Sequence, residues 1–298
     1  MNLKLQKIRQ WLLIVPSAIA TSILATSIPS DAATLAFSQV DVEFTNFSES
    51  LATIDLVNQA SISGETNGGL FGGQNNATNQ FTDAPPEVNS SAFSLAFGDS
   101  RNYTGSAQTQ AGILGNFDVD AGELFSFDFN TIVSLTTEID NPVVEEANAN
   151  GNISFFLLDT TNIPLTDIQD LFSNFISNIS NNNISFKYNV LDAFKLAGNL
   201  NTGGFEDFID FQHSQNIVFT SETKQADFGG NQESASVLIQ GSLQRSFINK
   251  SNVTLLAIRR SKAQVKVPES SFIVAFIFLL LIIAVGGFPR RRTREFNQ

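Results

Sequence analysis

The clearest periodicity in the chain runs from Leu124 to Ile139. Phe125, Phe127, Phe129, Val133, Leu135 and Ile139 fall on odd positions, and Ser126, Asp128, Asn130, Ser134, Thr136 and Glu138 on even ones. A period of two means one buried face and one wet face, the habit of an antiparallel sheet. Similar patterns predict strands at 51–57, 92–98, 103–114, 216–220, 234–247, 253–258 and 263–267. Near the start, Leu35 and Phe37 are followed by Val40, Val42 and Phe44, a one-residue slip that predicts a bulge or break. Residues 151–159 are apolar on both faces from Phe155 to Leu158 and predict a central strand; 184–190 predicts another. Asp140-Asn141-Pro142 reads as a turn.

Two stretches depart from this period. From Ser61 to Ser90 Gly, Asn, Thr and the Pro85-Pro86 pair dominate, which predicts a long loop or an edge excursion, a solvated insertion ahead of a ligand loop. At Ile168, Leu171, Phe172, Phe175, Ile176 and Ile179 the spacing becomes helical, with Thr166 and Gln169 placed as a capping box and Asn181-Asn182-Asn183 as the stop. The pattern as a whole predicts an all-β fold. It is an antiparallel β-sandwich or jelly-roll-like domain over residues 33–266, of about eight to ten strands, with one amphipathic helix at about 166–180 packed against a sheet.

The two ends follow other rules. Phe272 to Phe288 is 17 residues without a charge, 13 of them Phe, Ile, Leu or Val. As a helix it is about 26 Å long, the lower end of what spans a bilayer. Arg290, Arg291, Arg292 and Arg294 in the tail 289–298 would hold that end in the cytoplasm and place everything before Phe272 outside. Residues 1–32 carry Lys4, Lys7 and Arg9, then an apolar stretch from Trp11 to Ile28, then Ser30-Asp31-Ala32, the layout of a secretory signal cleaved after Ala32. An uncleaved anchor at the start and a buried core helix at the end are the alternatives.

Removing both ends leaves 10 basic and 26 acidic residues of the 17 and 29 in the whole chain, a net charge of −16. Such a surface repels phosphate backbones, so nucleic acid is not an expected partner. With no cysteine, stability must come from a hydrophobic core, and 23 of the 28 phenylalanines lie in the exported part to build it.

Candidate chemistry is sparse. His213 is the only histidine and has no nucleophile motif around it, and a zinc site would need more ligands than one histidine and no cysteine provide. Asp118 to Glu123 begins like a calcium loop, but Gly122 stands where the third oxygen ligand belongs and Phe129 where the closing glutamate belongs. A tight turn is therefore the expectation there, with calcium the alternative. Glu206, Asp207 and Asp210 supply carboxylates of the kind a glycosidase uses, interleaved with Phe205, Phe208 and Phe211, which read as apolar anchors. No catalytic, cofactor-binding or metal-binding residue is assigned.

At Val267-Pro268-Glu269-Ser270, followed by the apolar run 272–288 and the arginines, segment 267–298 resembles the sorting signal of PEP-CTERM proteins. Ser270 stands where that motif has a second proline. The resemblance implies processing by signal peptidase and by an exosortase that cleaves near the motif, in bacteria with an outer membrane and an exopolysaccharide matrix. Residues 117–129, 151–161 and 241–247 are also similar to exported proteins bearing this tail, many of them cyanobacterial, a likeness that transfers no catalytic residue. The expected function is thus a non-enzymatic cell-surface or extracellular-matrix protein, with exopolysaccharide a candidate partner. The alternatives are a permanently anchored single-pass adhesin and, third, a secreted polysaccharide hydrolase.

Overall fold

A computed structural model of the chain describes residues 33–99, 102–177, 189–202 and 206–267. The predicted signal 1–32 with its cleavage residue Ala32, motif residues Pro268, Glu269 and Ser270, the run 272–288 and the four arginines lie outside the described residues, as does the helix end beyond Ser177.

Twelve strands and one helix make up the described chain: β1 (Ala33–Thr45), β2 (Leu51–Thr66), β3 (Leu70–Asp83), β4 (Pro86–Asp99), β5 (Tyr103–Val119), β6 (Leu124–Glu138), β7 (Glu146–Asp159), α1 (Leu165–Ser177), β8 (Asn189–Asn201), β9 (Phe208–His213), β10 (Ile217–Asp227), β11 (Gln232–Ser246) and β12 (Ser251–Val267). They form two six-stranded antiparallel sheets, ordered β10-β11-β6-β1-β4-β3 (sheet A) and β2-β5-β12-β7-β8-β9 (sheet B). Inward residues of both sheets meet in one phenylalanine-rich core. Phe44, Phe127 and Phe129 of sheet A pack against Phe155 and Phe194 of sheet B, with ring centroids 5.1–5.9 Å apart.

The all-β expectation holds, and β6 occupies the predicted stretch almost to the residue. The strands number twelve where about eight to ten were expected, and three local expectations do not hold. First, β1 pairs with β4 and β6 without any register shift, so the slip after Phe37 is no bulge. Ala36 and Ser38 simply occupy inward positions, and Ser38 donates from Oγ to the Asn150 carbonyl across the sandwich at 2.7 Å. Second, residues 61–90 are no loop but the end of β2, all of β3 at the edge of sheet A and the start of β4, in keeping with the edge-excursion alternative. The inward side chains of β3 include Asn75 and Asn79, which close the gap between the sheets by hydrogen bonds instead of apolar bulk. Asn75 Nδ2 donates to the Ser61 and Gln108 carbonyls at 2.8 and 3.1 Å, and Asn79 Nδ2 to those of Val57 and Gly112 at 3.2 and 3.3 Å. The glycines there serve packing. The Phe71 ring lies where a Cβ on Gly64 or Gly105 would stand, 2.1 and 1.9 Å from its nearest carbon. Third, Thr166 and Gln169 form no capping box. The helix starts after Pro164, whose carbonyl accepts from Asp167 and Ile168, and Gln169 Nε2 reaches Asp55 of β2 at 3.1 Å.

The helix decides which outer face is left open. Outward residues Leu114, Leu158, Leu256 and Ile258 of sheet B are apolar, and Ile168 and Phe172 of α1 bury them, as expected of a helix packed on a sheet. Around β1 and β6 sheet A turns Asp, Glu, Asn, Ser and Thr outward, and among the described residues no helix packs on it. The polar groups inside include a cation. Arg259 of central strand β12 is 1% exposed between the sheets, with Nη2 donating to Asn79 Oδ1 at 3.0 Å. Burial lowers its pKa to about 9, against the pull of Asp41, so it stays charged at neutral pH.

The register also fixes the two ends. Ala33 pairs with Asp99, and Val267 pairs with Tyr103, while Ala36, Tyr103, Val265 and Val267 share one small cluster. Residue 33 and the exit toward the 267–270 motif therefore lie at the same end of the sandwich.

Candidate functional site

The open face of sheet A carries a groove of about 720 Å³. Inward Val40, Val42 and Phe44 on β1, and Phe127 and Phe129 on β6, seat these strands in the core. Pleating then turns Asp41, Glu43, Thr45, Asp128 and Asn130 to the other face. Pairing sets them in rows: Asp41 lies between Ser91 and Ile132, Glu43 between Asn89 and Asn130, and Asn130 beside Gln240. Thr220 of β10 and Pro85-Pro86 of the β3–β4 turn complete opposite rims, and Glu87 faces in from β4.

Four carboxylates, Asp41, Glu43, Glu87 and Asp128, thus share a groove with no Lys, Arg or His among its described lining residues. Three of the four, Asp128, Glu87 and Asp41, accept from neighbouring side-chain amides. Asn46, at the left-handed end of β1 with φ 54°, donates from Nδ2 to Asp128 Oδ2 at 2.7 Å, and Asn89 Nδ2 bonds Glu87 Oε1. Asp41 takes a 2.6 Å bond from Gln39 Nε2 on Oδ2, while its Oδ1, with Ser91 beside it across the ladder, is buried without a donor of good geometry. Asn130 Oδ1 is buried in the same condition. Burial pushes the Asp41 carboxyl above the usual carboxylate range, against the lowering effect of Ser91, Gln39 and Arg259. The groove therefore presents a lining rich in acceptors and without a cation.

The residues singled out in the sequence lie elsewhere. His213 ends β9, with its ring 4.5 Å from that of Phe219 and Nδ1 3.0 Å from the Ser214 carbonyl oxygen. The neighbouring Ser214 hydroxyl donates to Asp192, so no Ser–His pair forms. Asp207 Oδ1 accepts from the Asn201 backbone at 2.7 Å, a turn contact, and the Glu206 carbonyl accepts from Asn199. Asp207 also stands near Glu233 of β11, whose carboxyl is pushed up by burial and then by that charge. Of the three phenylalanines read as anchors, Phe211 packs against the core, Phe208 is 44% exposed because its neighbour Ile209 takes the inward position, and Phe205 lies outside the described residues.

Asp118 to Glu123 is the tight turn from β5 to β6, with Gly122 at φ 86° and Asp120 engaged by Lys250 at 3.0 Å. Among the described residues no group of three or more His, Cys, Asp or Glu is arranged to hold a metal ion. Also among them, no helix is long and apolar enough to cross a membrane. Val267, the first motif residue, is the buried last residue of β12. No protein-family model, curated protein or solved structure matches the chain.

The Asp41–Glu43 groove was missed as a site. The alternation Val40-Asp41-Val42-Glu43-Phe44 signals that two acids share one face, but joining them to Glu87 and Asp128 requires the long-range register of three strands.

Proposed function

We propose that this chain is an exported, non-enzymatic cell-surface or matrix protein, sorted through an exosortase-type signal at 267–298, and that its sheet A groove holds a neutral, hydroxyl-rich polymer such as an exopolysaccharide. The observation that carries the binding reading is a groove lined by four carboxylates with amides and hydroxyls between them and no cation among its described lining residues. Sugar hydroxyls supply donors without bringing negative charge onto four carboxylates. Placement supports the surface reading. Glu43 lies ten residues along β1 from Ala33, about 33 Å from the end where both termini leave, so an anchored chain would hold the groove away from the membrane.

Titration of the protein with neutral and uronic-acid-containing polysaccharides, with calcium in a separate arm, tests the groove. Binding of a neutral polymer, weakened at least about tenfold by Asp41→Ala or Asn130→Ala, is expected. Response to calcium alone, or binding that ignores both substitutions, would overturn it. Because the Asp41 pKa is raised, its acceptor capacity is present above that pKa, and binding should fade on acidification earlier than an ordinary aspartate would allow. Intact mass of the mature protein with and without the host's exosortase tests sorting, and a wild-type product that keeps Arg290 to Arg294 rules processing out in favour of permanent anchoring.

A further inference from the structure

Each sheet has two edges, and three of the four are guarded in the ways that keep edge strands from pairing with other chains. Strand β9 spans only Phe208–His213. Strand β10 carries Glu222, Lys224 and Asp227 and is irregular between Phe219 and Ser221. Strand β2 is bulged between Leu51 and Thr53, carries Asp55 and Glu65, and is touched by the helix through Gln169. Strand β3 has none of these devices. From Leu70 to Thr82 it holds no charge and no proline, and it pairs with β4 from end to end without a register shift.

We infer that β3 is a self-association edge, pairing antiparallel with β3 of a second copy so that two A sheets join into one of twelve strands. A second copy fits this edge for two reasons. The exported domain is strongly acidic, so copies repel except where charge is missing, and β3 is such a stripe along the full length of the sandwich. The exposed row Gln74, Asn76, Thr78, Gln80 and Thr82 is also its own complement, because antiparallel pairing sets amides and hydroxyls of one copy beside those of the other. Joining the strands pairs on the order of a dozen backbone groups that have no strand partner among the described residues. Antiparallel pairing points the two Val267 ends in opposite directions, so chains released from the membrane could pair freely while two anchored side by side could not.

The test is sedimentation of the full chain in detergent over a range of concentrations, with hydrogen exchange read on β3. A concentration-dependent dimer with slowed β3 exchange is expected. The double variant Asn76→Lys/Thr78→Lys should return it to monomer at unchanged melting temperature, while Ser61→Lys/Ser63→Lys on β2 should leave the dimer intact. A monomer at every concentration overturns the proposal. So does a dimer that survives the β3 lysines, which would place association in the tail or on another edge.

Discussion

Phe155→Ala is expected to destabilise the domain by about 3–5 kcal/mol, the range for truncating a buried aromatic. Phe155 is fully buried on β7 of sheet B. Its ring stacks on Phe194 of the same sheet at 4.9 Å, and meets Phe44, Phe127 and Phe129 of sheet A edge-on at 5.4, 5.9 and 5.1 Å. Truncation therefore opens a cavity at the plane where the two sheets meet. The surrounding strands are paired on both sides and cannot collapse into it cheaply. The chain has no disulfide to hold the sheets while the core loosens. A lowered urea midpoint with an unchanged slope is the expected reading, and Phe208→Ala, on a ring that is 44% exposed, should move the midpoint far less. A Phe155→Ala loss below about 1 kcal/mol would mean that the phenylalanine cluster does not join the sheets as described.

The same ring cluster explains which parts of the fold could be read from the sequence. β6 was legible because every second residue from Phe125 to Val133, Thr131 excepted, is a large apolar group in that core. Strand β3 was not, because its inward positions hold Asn75 and Asn79, whose work is done by amide hydrogen bonds that no hydropathy pattern records. Strand β8 was hidden in another way. Its inward row runs Asp192, Phe194, Leu196, Gly198 and Leu200, and a buried acid with a glycine breaks the alternation. Gly198 is inward because the Leu135 side chain fills the space of its absent Cβ. The groove was half legible: the Val40–Phe44 alternation gives the face, while the company of Asp41 depends on partners at Ser91 and Ile132, fifty and ninety-one positions along the chain. Local period is written in sequence; register between distant strands is set by packing of the whole.

Asp192 shows how much such a hidden polar residue can carry. Its carboxylate, 3% exposed, accepts from Ser214 Oγ at 2.7 Å, from Asn216 Nδ2 at 3.1 and 3.2 Å, and from Arg245 Nη1 at 2.9 Å. Ser214 and Asn216 lie where the chain crosses from β9 in sheet B to β10 in sheet A, and Arg245 belongs to β11, so one side chain fastens the crossing and ties the two sheets. Asp192→Ala leaves three donors facing a void. Losing one partner of a buried charge pair costs about 3–5 kcal/mol, but Arg245 is 29% exposed and can turn to water, so about 2–4 kcal/mol is expected here. Asp192→Asn keeps the shape and an acceptor oxygen while removing the charge, and should cost roughly half as much. In a double-mutant cycle with Arg245→Ala the two losses should fall short of adding, by about 0.5–3 kcal/mol. Additive losses would make the ion pair incidental, with the Ser214 and Asn216 contacts alone holding the crossing; an Asp192→Ala variant as stable as the wild type would mean that the crossing is held by the backbone bond from Ser214 to the Ala193 carbonyl instead.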